Sequence, residues 1–142
     1  MIQSFFSPID CQIQFQIWIA LGVLWPGARA FLKLGEVDKA VELARAGVAE
    51  SKNGLARIEC HRVLAEAAHS LGDMEEAERE FRTAHEEARS AGWRYLALLC
   101  ARDLKRMVLD RDGRGAEGDA MIDGVCALMG KARGTYAEVL SA

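Results

Sequence analysis

The sequence predicts an all-α protein built from repeated helical hairpins, and three observations predict it. Ala, Leu, Glu and Arg dominate, all strong helix formers, and proline occurs only at Pro8 and Pro26. After Gly27 the only helix breakers are glycines, set at intervals. One segment recurs 37 residues later: Leu34-Gly35-Glu36-Val37-Asp38-Lys39-Ala40 returns as Leu71-Gly72-Asp73-Met74-Glu75-Glu76-Ala77. The length, 142 residues, is one domain's worth, and 51% hydrophobic with 27% charged residues excludes a disordered chain. A core of this size needs no disulfide or metal. The net charge of -3 argues against a general electrostatic grip on nucleic acid.

The same offset pairs Ala28 with Ala65, Phe31 with Ala68, Ala44 with Phe81 and Gly47 with Ala84. A third copy is weaker. Leu64, Ala65, Ala68 and Leu71 match Cys100, Ala101, Leu104 and Met107 at offset 36, whereas Ala77 and Phe81 match Ala116 and Ala120 at offset 39. The change implies about three extra residues in the third turn, placed at Asp110-Arg111-Asp112-Gly113-Arg114-Gly115, which is rich in turn formers.

Each unit reads as two antiparallel helices. In the second, helix one runs from about Gly54 to Ser70, with Leu64, Ala68 and Leu71 as its buried stripe. Gly72 suits the left-handed position that ends it. Asp73 then caps helix two, with Glu75 and Glu76 in its positive first turn. Met74, Ala77, Phe81, Ala84 and Ala88 form the inner face, and Glu75–Arg79 and Glu78–Arg82 are outer i, i+4 pairs. Ser90-Ala91-Gly92 ends the unit, and Ala132 to Leu140 forms a last short helix.

Leu64-Ala65, Ala68, Gly72, Ala77, Phe81 and Ala84 resemble the signature of the tetratricopeptide repeat (TPR), with Ala68 where a tyrosine is usual. Gly27-Ala28, Phe31, Gly35, Ala40 and Gly47 resemble it in the first unit. The resemblance is good over 26–91, degenerate over 93–130 and absent over 1–20. The closing proline is missing, and the longer junctions look more like repeat arrays of large signalling ATPases, nucleotide cyclases and transcription regulators. The resemblance implies a right-handed α-α superhelix of about three hairpins, with units at about 26–53, 54–92 and 93–130 and a C-terminal helix over 131–142. It implies a scaffold that binds a protein or peptide in a concave groove lined by first helices. The competing reading is a regulatory or oligomerisation segment of a larger signalling ATPase or transcription regulator.

Residues 1–25 stand apart. Ser7-Pro8 reads as a helix start, so a helix is expected from about Pro8 to Leu24, followed by a break at Trp25-Pro26. So apolar a helix must cover something, and the expectation is the end of the stack; the rival is that residues 1–25 are a truncated start of a longer protein, and in a segment of a larger regulator this helix would drive self-association. A secretory signal is opposed by the lack of Lys or Arg before Arg29 and by Gln12, Gln14 and Gln16 in the run. The nine apolar residues Ile17 to Trp25 fall short of the ~20 a membrane span needs. Cys11, Cys60, Cys100 and Cys126 form no CxxC pair and read as buried, reduced thiols, consistent with the cytoplasm.

Sites of chemistry are not visible. His85-Glu86-Glu87-Ala88-Arg89 lacks the second histidine of a zinc-protease helix. Gly124 to Lys131 misses phosphate-loop spacing, and Ala132 stands where Ser or Thr would bind magnesium. Asp110, Asp112 and Glu117 have Gly113 at the wrong place for a calcium loop. Cys60, His61 and His69 form no closed metal set. The expectation is therefore a non-enzyme without cofactor or metal.

The groove is the expected functional surface. Arg62, Glu66 and His69 share one helix face, opposite Leu64 and Leu71. Their counterparts are Trp25, Arg29 and Leu32 in the first unit and Leu98, Arg102 and Lys105 in the third. Leu98 belongs to the groove or, if the third register is wrong, to the core. The peptide-binding candidates are thus Trp25, Arg29, Leu32, Arg62, Glu66, His69, Arg102 and Lys105. Four cations face one acid, a mildly basic groove that suits an acidic or carboxylate-bearing peptide. The chaperone-tail clamp of some family members needs lysines with asparagines; Asn53, in a junction, is the only asparagine.

Overall fold

A computed structural model of the protein describes residues 24–142 and Ile13. Among these residues there are helices and turns and no strand. The α-helices are α1 (Leu24–Lys33), α2 (Val37–Glu50), α3 (Gly54–Ser70), α4 (Met74–Ser90), α5 (Arg94–Leu104), α6 (Gly115–Leu128) and α7 (Ala137–Ser141). A π-helical turn, Lys105–Leu109, extends α5, and a 3-10 turn, Arg133–Tyr136, leads into α7. Each helix from α1 to α5 packs on the next, and α1 also touches α3. The fold class is all-α. The helix expected over Pro8–Leu24, Cys11 and the proposed self-association segment lie outside the described residues, apart from Ile13 and Leu24.

The second hairpin forms as its sequence dictates. The Asn53 side chain accepts hydrogen bonds from Leu55 N and Ala56 N and starts α3. Gly72, at φ +82°, turns the chain, and Asp73 N–H reaches the Ala68 carbonyl at 2.9 Å. Asp73 then caps α4 by accepting from Glu76 N at 3.1 Å. Ala77, Phe81, Ala84 and Ala88 are fully buried. Small residues at the close approaches let Phe81 fill the space against Ala65 and Ala68.

Three details differ from expectation. Leu71 is 66% exposed, like its counterpart Leu34, because it sits at the helix end where the chain turns away. Arg79 pairs with Glu76 rather than Glu75. No break occurs at Trp25-Pro26: Leu24, Trp25 and Pro26 are all helical.

The third hairpin carries the main correction. Ala116 and Ala120, expected inside, are exposed, whereas Gly118, Ile122 and Val125 are buried. These three stand 41 residues beyond Ala77, Phe81 and Ala84, so five residues are inserted rather than three. The insertion is the π-helical turn. Leu104 and Leu109, both fully buried, lie 36 and 41 residues after Ala68. The Asp110 N–H bonds the Lys105 carbonyl five residues back, at 2.8 Å. Past the turn the old geometry returns: Gly113 has φ +72°, and Arg114 N–H reaches the Leu109 carbonyl at 2.8 Å, as Asp73 reaches Ala68.

Cys60, Cys100 and Cys126 are buried and unpaired. Burial pushes the thiol of Cys60 up to about 11 and that of Cys100 to about 12. No described helix is long and apolar enough to cross a membrane.

Candidate functional site

Four of the groove candidates, Arg29, Arg62, Glu66 and Arg102, form a connected set. Arg29, on α1, donates to both carboxylate oxygens of Glu66 on α3 at 3.1 Å and lies 3.7 Å from Glu59. Arg62, on α3, bridges two acids: its guanidinium donates to Glu59 at 3.0 Å and to Asp103 of α5 at 3.0 Å. Asp103, 4% exposed, also accepts from Arg102 at 2.9 Å and faces Arg106 at 3.6 Å. Arg102 in turn donates to the Val139 carbonyl of α7 at 3.0 Å. One line of alternating charges therefore crosses α1, α3 and α5 and ends at α7.

Arg62 is the centre of this line and is itself buried. Burial disfavours its charge, but Glu59 and Asp103 outweigh that and hold it above its ordinary value. A buried cation bound to two buried acids is a positioning element rather than a free hook for a ligand. The face is also balanced rather than basic. Arg29, Arg62 and Arg102 meet Glu59, Glu66 and Asp103, two more acids than the sequence reading counted.

Trp25 and Leu32 stand four before and three after Arg29, so they flank it on one side of α1; both are half-buried against the first apolar cluster. His69, half-buried, faces Arg111, whose N–H lies 3.5 Å from its Nε2. Lys105 does not join the set. The π-helical turn swings it toward α6, where its stem covers Gly118 and its amine binds Asp110 at 2.9 Å. Leu98 is fully buried, in the cluster against which Tyr136 and Leu140 pack, and belongs to the core.

Sequence reasoning missed Glu59 and Asp103. Glu59 was visible as an i, i+3 partner of Arg62; Asp103, 41 residues away, had no local signal.

A second polar cluster joins α3 to α4. His61 Nδ1 lies 2.6 Å from Glu80, and Arg57 donates to Glu87 at 2.8 Å. His85, buried, has Nδ1 3.0 Å from the Ala97 carbonyl; burial pulls it below the usual imidazole range. Neither histidine has a nucleophile beside it in these contacts. Among the described residues no three His, Cys, Asp or Glu side chains gather as a metal site.

No family model, curated protein or solved structure matches the chain.

Proposed function

We propose that this chain is a non-catalytic protein-interaction module of TPR type, a short superhelical stack that holds a protein or peptide segment on the side formed by α1, α3 and α5. The observation that carries the reading is the charge line Arg29–Glu59–Arg62–Asp103–Arg102, which ties the first helices of three successive hairpins together. The recurrence of fully buried alanines at Ala28, Ala65 and Ala101 supports the same repeat. With the cations already engaged, the best-matched ligand has mixed charge and apolar anchors that can meet Trp25 and Leu32.

The test is affinity capture with the full chain and with Leu32→Glu/His69→Glu, both checked for helix content by circular dichroism. Arg62 is unsuitable for charge reversal, because the change would bury a third acid beside Glu59 and Asp103. The reading expects a partner held by the wild-type chain and lost by the variant. A partner held equally by both places binding elsewhere.

A further inference from the structure

The last described segment touches the proposed binding side. α7 is five residues long, too short to persist alone, and none of its side chains is fully buried. Yet it rests on α5, where Tyr136 and Leu140, four residues apart and so on one side of the turn, pack against the cluster that holds Leu98. Two polar ties hold it. Arg133 pairs with Asp119 at 2.6 Å and Asp123 at 3.4 Å, all three side chains well exposed. Arg102 donates to the Val139 carbonyl, one of those that a helix C-terminus leaves without an intrahelical partner. Arg102 is at the same time the last member of the charge line through Asp103.

We propose that residues 133–141 are a displaceable intramolecular ligand on α5, and that the partner binds by replacing them. The partner element is then a short helix with an aromatic and an aliphatic residue four apart, its C-terminal carbonyls offered to Arg102. This deepens the interaction-module reading and rests on it for the existence of a partner. The contact with α7 can be tested without one. An intramolecular segment on a short tether competes at an effective concentration on the order of millimolar. A peptide of residues 131–142 should therefore bind weakly while the chain's own α7 is seated and strongly once it is released.

The probe is that peptide, fluorescein-labelled, titrated by anisotropy against the full chain and against full-length Tyr136→Asp/Leu140→Asp. The expected result is binding at least tenfold tighter to the variant, reduced at least tenfold by adding Arg102→Gln. If neither chain binds the peptide while circular dichroism shows both folded, the proposal is overturned and α7 is a fixed part of the core. If the variant unfolds, the wild-type chain decides alone. At several millimolar unlabelled peptide, its residue 137–142 amides should move toward their free-peptide NMR positions; unmoved amides overturn the proposal. Because Leu32 and His69 lie on other helices, failure of the capture experiment leaves these outcomes intact.

Discussion

The second and third hairpins solve the same packing problem with different residues. In the second, Ala77 and Phe81 pack with Ala65 and Ala68; in the third, Ile122 packs with Ala101, while Leu104 and the extra Leu109 join the cluster around Phe81. Gly118 shows the difference in shape: a Cβ there would come within 2.6 Å of the Lys105 Cβ and 3.2 Å of its backbone. Arg62 and Leu98, 36 residues apart, show it in charge: one buried position is held by acids, the other by apolar contacts around α7's partners. The repeat conserves shape, and each hairpin fills that shape with its own chemistry.

The largest effects should come from the paired core positions. Phe81→Ala should cost about 3–5 kcal/mol and Ile122→Ala about 2–5 kcal/mol in urea unfolding. Ala120→Glu should stay within about 0.5 kcal/mol, because Ala120 is exposed. A large loss at Ala120 with none at Ile122 would restore the register that the sequence alone implies.

Arg62→Ala should cost about 3 kcal/mol, since it strips the shared cation from Glu59 and Asp103. Chemical denaturation at pH 7 would read it. A neutral outcome would mean that Arg29 and Arg102 suffice to hold both acids.

Gly118→Ala should cost about 1–3 kcal/mol through its collision with Lys105. Ala77 already carries the Cβ that Gly118 lacks, so the two hairpins differ there in a measurable way. If Gly118→Ala leaves the unfolding midpoint unchanged, the approach of α6 to the π-helical turn is looser than described.

The smallest effect is electrostatic. Glu78, on the second hairpin, accepts from Arg114 of the third at 3.0 and 2.5 Å and from Arg82 at 2.7 Å. Arg114, helped by Arg82 and opposed by burial, holds the Glu78 carboxyl at about 2, below its ordinary 4.5. A carboxyl depressed in the folded state stabilises above its unfolded value and loses that contribution as pH falls through its folded value. Glu78→Gln should therefore lower Tm by about 2 °C at pH 7. The gap from wild type should close between pH 4.5 and 2. A gap independent of pH would assign the loss to packing.

The second hairpin was legible because its signals are local. Gly72, Asp73, Ala77 and Phe81 each specify a turn, a cap or a contact within a few residues. The third was misread because its inserted turn has no sequence signature, and Ala116 and Ala120 imitate the small inner positions. The turn-rich Asp110–Gly115 stretch drew attention away from Lys105–Leu109, which reads as ordinary helix. Leu71 was misplaced because spacing from Leu64 says nothing about where the chain turns away. The helices that carry Arg29, Glu66 and Arg102 were legible in the sequence. Their pairing was not, since it depends on acids far away in sequence.

The third hairpin repeats the second with five residues inserted at Lys105–Leu109. Deleting residues 105–109 from the full chain joins Leu104 to Asp110 and puts Leu104 in the place that Ala68 holds in the second hairpin. Urea unfolding followed by circular dichroism would compare this deletion with one of residues 105–107, the length the sequence alone suggests. A five-residue insertion predicts a single cooperative transition for the five-residue deletion and a broad, low-midpoint loss of structure for the three-residue one. The reverse order would contradict it.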